Sequence, residues 1–183
     1  MQNAIEEHIR LFSRLQIQAE SIDAVGKLLS RQIDGVNRIL IAGNGGSAAD
    51  AQHFAAELVG RFQANRRALA CIALSTDTSN LTAIGNDFGF SAVFARQIEA
   101  LGQPGDSFIG ISTSGNSENI IAAVKQARQQ GMTTIGLLGR DGGALASLVD
   151  HAVVIPDTTT ARIQEAHIFV LHYWADLIER SIL

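Results

Sequence analysis

The sequence predicts an α/β fold: a parallel sheet covered by helices on both faces. Three observations carry that prediction. Short apolar runs of strand length alternate with longer segments of helical period along the chain. Two turns rich in glycine and hydroxyls, Gly43–Ser47 and Ser112–Ser117, each lie between such a run and such a helix. Hydrophobic residues make up 46% and charged residues 17%, which suits a packed core and argues against disorder. A chain of 183 residues reads as one domain over 1–183, large enough to bury roughly two thirds of its unfolded surface.

The elements follow in order. Residues 4–33 read as helix, because Ile5, Ile9, Phe12, Leu15, Ile22, Val25, Leu28 and Leu29 recur at three- and four-residue steps. Residues 37–42 form a short apolar run ending at a glycine, the mark of a buried strand. Helix is expected over 47–60, and strands over 69–74 and 107–112. A helix over 116–130 is stopped by Gly131. Strands at 132–138 and 152–155 precede a last helix at about 160–182. That helix carries Ile163, Ala166, Val170, Leu171, Trp174, Leu177 and Ile178 on one face, with Ile168 and Phe169 off it. A helix apolar on more than one side is buried on more than one side. Together with the first helix, it suggests an oligomer packed through helices; a terminal helix wedged into its own core is the plainer alternative.

Bulk properties exclude several functions. A formal net charge of -4 with no basic run beyond Arg66-Arg67 argues against nucleic-acid binding. The single cysteine, Cys71, rules out an internal disulfide and fits a reducing cytoplasm. The N-terminus "MQNAIEEHIRLF" is acidic where a signal peptide is basic, and no apolar stretch nears the ~20 residues of a membrane span.

Ligands of such sheets bind at the carboxyl ends of the strands, where both glycine- and hydroxyl-rich turns fall. In Gly43-Asn44-Gly45-Gly46-Ser47 the glycines let backbone N–H groups approach a ligand, and Ser47 is placed to cap a helix whose N-terminus favours an anion. It is neither a Walker loop nor a dinucleotide fingerprint. An ordinary tight turn is equally open. Ser112-Thr113-Ser114-Gly115-Asn116-Ser117 offers four hydroxyls, more than one cap needs, and reads as a phosphate cradle built on amides and a helix dipole.

His53 and Glu57 stand at i and i+4, about 40° apart on one helical face, within reach of one ion. Imidazole and carboxylate suit zinc; a surface His–Glu pair is the plain alternative. "ARIQEAHIFVLHYW" adds Gln164, Glu165, His167 and His172. On a helical wheel His167 falls in the apolar face and His172 opposite it. Gln164 and His172 are eight residues apart, or about 12 Å along the axis. Gly85-Asn86-Asp87-Phe88-Gly89 reads as a polar turn, with Asp87 able to accept from sugar hydroxyls.

"AGNGGSAADAQHFAAEL", "LTAIGNDFGF", "GISTSGNS" and "RIQEAHIFVLH", in this order, resemble the SIS (sugar isomerase) domain family, and within it the phosphoheptose isomerase branch, over residues 35 to 182. The resemblance implies a three-layer sandwich around a five-stranded parallel sheet. It implies a homotetramer with intersubunit sites, in which segment 1–34 serves oligomer packing. The implied reaction is sedoheptulose 7-phosphate to D-glycero-D-manno-heptose 7-phosphate, which opens bacterial ADP-heptose and lipopolysaccharide-core synthesis. Carried over, Asn44, Gly45, Gly46 and Ser47 would contact substrate, and Asn86 and Asp87 would hold sugar hydroxyls. Ser112, Thr113, Ser114 and Ser117 would hold the phosphate. His53, Glu57, Gln164 and His172 would bind one zinc ion, Glu57 and Gln164 would also touch substrate, and Glu57 and His172 would act as base and acid. This overrules the wheel reading of His172.

Some relatives carry an acid three places before the motif glutamine; here that place is Ala161, and Asp157 is out of register. The competing branch binds the DnaA replication initiator without catalysis and, as the resemblance runs, does not keep Glu and His at the positions of Glu57 and His172. Both are present here, which favours the enzyme. Sugar-phosphate sensors of this family usually add a DNA-binding domain, for which this length has no room.

Overall fold

The computed structural model describes residues 1–33 and 36–183. Residue 34, the end of the expected N-terminal segment, and residue 35, where the resemblance begins, lie outside the described residues. The strands are β1 (Ile39–Ala42), β2 (Cys71–Ala73), β3 (Ser107–Ser112), β4 (Thr133–Gly139) and β5 (His151–Ile155). All pair in parallel, in the order β2–β1–β3–β4–β5. Central strands are covered on both faces, so β1 and β3 are buried at every position. At the edge, β5 exposes His151 and buries Val153 and Ile155.

The described residues form seven α-helices: α1 (Gln2–Leu15), α2 (Ala19–Ile33), α3 (Gly46–Val59), α4 (Thr78–Phe88), α5 (Ala95–Leu101), α6 (Glu118–Gln129) and α7 (Thr160–Ser181). Successive strand side chains point to opposite faces, and two cores result. Ile39, Ile41, Ile109 and Ile111 pack with Leu29 of α2, Phe54 of α3 and Trp174 of α7. Leu40, Ala42 and Phe108 pack with Ile98 of α5 and Ile120 and Val124 of α6. This is the three-layer sandwich around five parallel strands expected above.

Two local details show how close the layers come. A Cβ at Gly110 of β3 would lie 2.7 Å from Ile120, so glycine there lets α6 sit directly on the sheet. Trp174 is fully buried, and its indole N–H donates to the Ile22 carbonyl at 2.8 Å, joining α7 to α2. Truncating it to alanine would cost about 3–5 kcal/mol.

Three expectations need correction. The N-terminal helix is not continuous: a 3₁₀ turn over Gln16–Gln18 separates α1 from α2. Residues 75–106, left without an element, hold α4 and α5. Residues 85–88 are the last turn of α4 rather than a free turn, and the chain leaves the helix at Gly89 with φ 86°. Helix α4 carries a short apolar stripe, Leu81, Ile84 and Phe88, of which Leu81 and Ile84 are partly buried against the core and Phe88 is exposed; reading 85–89 as a turn broke that stripe. No helix among the described residues is long and apolar enough to cross a membrane.

Candidate functional site

The strand order reverses between β1 and β3, and the crevice at their carboxyl ends is where open α/β sheets take ligands. The two glycine- and hydroxyl-rich turns flank that crevice. Asn44, after β1, and Asn119, in the first turn of α6, join them. Asn44 Nδ2 donates to Asn119 Oδ1 at 2.9 Å, and Asn119 Nδ2 donates to Asn44 Oδ1 at 2.8 Å.

In the first turn Gly45 has φ 56°, which favours glycine, and precedes the first residue of α3. A Cβ at Gly46 would lie 2.3 Å from Gln164 Nε2, so the bare backbone here makes room for a side chain from α7. Ser47 does not cap the helix as expected. Helix α3 begins one residue earlier, Gly45 is the cap position, and Ser47 is buried inside the first turn.

The second turn is built from hydroxyls. Ser112 Oγ lies 2.9 Å from Ser117 Oγ and 3.5 Å from Ser114 Oγ, and accepts from the Gly115 N–H at 3.1 Å. Ser114 Oγ accepts from the Asn116 N–H at 3.2 Å. Ser117 occupies the cap position of α6 without making a cap bond, which leaves the helix N-terminus open to an anion. The Thr113 carbonyl packs where a Cβ of Gly139 would fall, at 2.5 Å. At Gly115, φ is 67° and a Cβ would lie 2.0 Å from the Gly142 carbonyl oxygen, so only glycine fits.

His53, Glu57 and His172 converge. His53 Nε2 lies 3.0 Å from Glu57 Oε1 and 2.9 Å from His172 Nε2, and the rings meet edge to face at 4.9 Å. One donor atom from each falls within 4.8 Å of the others, so the three can hold a metal ion. His172 is half-buried. Burial and the nearby His53 hold its imidazole below the ordinary histidine range, while the Glu57 carboxylate pulls the other way. His172 thus sits in the cluster although a wheel put it on the polar side. His167 is buried as the wheel implied, with Nε2 3.1 Å from the Leu138 carbonyl oxygen.

Not every expected residue joins these groups. Gln164 lies against Gly46. Asn86 and Asp87 are exposed at the end of α4, where Asn86 Nδ2 donates to Asp87 Oδ1 at 2.8 Å. Sequence reasoning missed two residues that the site uses or adjoins. Asn119 carried one faint signal, an amide on the otherwise apolar face of Ile120, Ala123 and Val124. Asp50 lies one turn before His53. Its Oδ2 is buried without a partner among the described residues, and burial pushes the carboxyl up to about 6 against the opposing pull of His53.

Residues 5–139 match the SIS domain family model. A phosphoheptose isomerase from Trichlorobacter lovleyi is 53% identical over 181 residues, 97% of this chain and 91% of that protein. The solved phosphoheptose isomerase GmhA of Neisseria gonorrhoeae is 47% identical with a TM-score of 0.92, covering 97% of this chain and 96% of its own. A phosphoheptose isomerase structure from Francisella tularensis is 35% identical with a TM-score of 0.95, covering 98% and 96%. On the matched domain and the whole-length likeness together, the chain belongs to the SIS domain family, in its phosphoheptose isomerase branch.

Proposed function

We propose that this isomerase interconverts sedoheptulose 7-phosphate and D-glycero-D-manno-heptose 7-phosphate, the opening step of ADP-heptose and lipopolysaccharide-core synthesis. The observation that carries the reading is the meeting of Glu57 with His53 and His172, residues 119 apart in sequence in the case of the two histidines.

The reaction moves a proton between adjacent carbons through a cis-enediol. Glu57 takes the proton from C1 of the ketose, and the C–H electrons become the C1–C2 double bond. The carbonyl electrons move onto O2, where His172 supplies a proton. Glu57 then returns its proton to C2, His172 recovers one from O1, and the aldose results. Both groups must stand within hydrogen-bond reach of the reacting atoms. Ser112, Thr113, Ser114 and Ser117 hold the phosphate with the amides of the α6 N-terminus. Asn44, Gly45, Gly46 and Ser47 line the sugar's path, and Asn86 and Asp87 hold its hydroxyls.

Two imidazoles and a carboxylate are a donor set that suits zinc, and Gln164 is the fourth ligand in this reading. Zinc supplies Lewis-acid polarisation of the substrate oxygens when bound. A metal held by Glu57 would make that carboxylate a poorer base. The outward apolar side chains Ile5 and Ile9 of α1 and Phe169 of α7 support packing between copies through these helices, which this reading takes as a homotetramer; the single cysteine fits a cytoplasmic location.

The deciding experiment is an NMR assay with sedoheptulose 7-phosphate. Aldose phosphate signals that grow with time support the reading. No conversion, combined with binding to a DnaA-type initiator, selects the non-catalytic branch instead.

A further inference from the structure

We propose that Glu179 and Arg66 are positioning residues that set the His53–Glu57–His172 cluster. This inference rests on the reaction proposed above. Both side chains are almost wholly buried, at 4% and 2% exposed, with Arg66 Nε 3.4 Å from Glu179 Oε1. A buried ion pair is a weak source of stability, because desolvating two charges offsets their attraction. Its worth is better sought in what it holds in place.

Glu179 lies near the end of α7, two turns beyond His172. Its carboxylate accepts three successive backbone N–H groups from the segment after α3: Phe62 at 3.0 Å, Gln63 at 2.8 Å and Ala64 at 2.7 Å. Three adjacent amides turned onto one anion form a nest, normally a ligand's place, here filled by the protein's own carboxylate. Arg66 then reaches back to the end of α3. Its Nη2 donates to the Glu57 carbonyl at 2.7 Å, and its Nη1 to the Leu58 carbonyl at 2.6 Å and the Gly60 carbonyl at 3.2 Å. The orphan carbonyls of the helix that carries His53 and Glu57 are thus tied to the helix that carries His172.

The segment so held also places a side chain. The Phe62 ring lies 5.8 Å from the His172 ring, tilted by 31°. One chain of contacts therefore runs from Glu179 through the Phe62 amide to the Phe62 ring and on to His172. A second runs from Glu179 through Arg66 to the backbone of Glu57. Neither Glu179 nor Arg66 touches the reacting atoms, and each fixes a residue that does. Small displacements of such groups cost turnover far more than they cost folding.

Glu179→Gln tests this, because it keeps the side chain's size and removes its charge and one acceptor. Arg66→Lys is made beside it, since it retains the charge facing Glu179 and breaks the fork on the carbonyls of α3. Two readouts are taken on folded, metal-free or active protein as each requires. Histidine-selective ¹⁵N spectra of the metal-free protein are expected to show the His172 and His53 ring signals moved, with those of His167 in place. Steady-state kinetics are expected to show kcat lowered at least tenfold with KM changed less than twofold. If the rings of His53 and His172 resonate as in the wild type and kcat per folded chain is unchanged, the pair only holds the fold and the proposal is overturned. Should Glu179→Gln fail to fold, Arg66→Lys decides by the same two measurements. The ring spectra need no substrate. A wild-type chain that leaves sedoheptulose 7-phosphate untouched would therefore sink the proposed reaction, while the spectra still decide the positioning.

Discussion

Asn44 and Asn119 hold each other through two amide hydrogen bonds, 2.9 and 2.8 Å long, and in doing so join the glycine turn after β1 to the helix after the hydroxyl turn. Neither amide needs a ligand to be satisfied, so the two halves of the crevice are already fastened in the free protein. Asn119→Ala leaves the half-buried Asn44 amide without its partner, at a cost of about 1 kcal/mol. The midpoint of urea unfolding is expected to fall accordingly, and KM for the sugar phosphate to rise several-fold. An unchanged KM in a destabilised variant would confine the pair to a structural part.

Gly46 separates stability from function in the opposite sense. A Cβ there would displace the Gln164 amide, which is the far end of a flexible side chain. Gly46→Ala is therefore expected to melt within a few degrees of wild type while kcat/KM falls by on the order of a hundredfold, or about 2.7 kcal/mol of transition-state stabilisation. Full activity in this variant would show that Gln164 need not lie where it does.

Glu57→Gln removes the proposed base and keeps its shape. Turnover of sedoheptulose 7-phosphate by NMR is expected to vanish while the circular dichroism spectrum and the oligomer are retained. Retained turnover would take Glu57 out of its role.

Removal of metal gives an independent check. One zinc per site is expected by elemental analysis, and activity is expected to fall after chelation and return with zinc. A stripped preparation as active as the original would exclude zinc from the reaction.

Acid sensitivity should trace to His167. Burial lowers its imidazole from about 6.5 to about 4, with the Leu138 carbonyl acting weakly the other way. A histidine whose folded pKa is depressed takes up its proton more readily in the unfolded chain. Its effect is absent above pH 6.5, grows as pH falls towards 4, and reaches about 3 kcal/mol of lost stability below that. Asp50, with its carboxyl raised to about 6, shifts stability the opposite way over part of the same range. The comparison should therefore be His167→Gln against wild type. The variant's stability is expected to fall less steeply between pH 6.5 and 4 by urea titration, and parallel curves would refute the assignment.

The sheet was legible because each strand is a short apolar run bounded by glycine or polar residues, as Ile39–Ala42 and Ser107–Ser112 are. The crevice was legible because its turns must carry glycine and hydroxyls whatever else changes. Helix α4 was not, because its short stripe of Leu81, Ile84 and Phe88 is only partly buried and is interrupted by Gly85, which with Gly89 reads as a turn. Ser47 misled, because a serine at the head of a helix resembles a cap until the helix is seen to start at Gly46. The link between Asn44 and Asn119 and the nest around Glu179 are pairings across 75 and 115 to 117 residues, which no local pattern encodes. His172 was placed by resemblance against its own helical wheel. The structure supplies the reason: His53 and Phe62 come from outside α7 to meet it.

Gly115 leaves one last consequence. Its backbone lies so near Gly142 that neither segment can shift alone, and the Leu145 N–H donates to the Gly115 carbonyl at 3.0 Å while the Ala144 N–H donates to Asn116 Oδ1 at 3.0 Å. The hydroxyl turn is thus clasped from below before any anion arrives. Rigid receptors lose little freedom on capture, so inorganic phosphate should associate in a single fast phase with no slow closure behind it. A side chain at Gly115 would meet the Gly142 carbonyl and unseat the whole cradle.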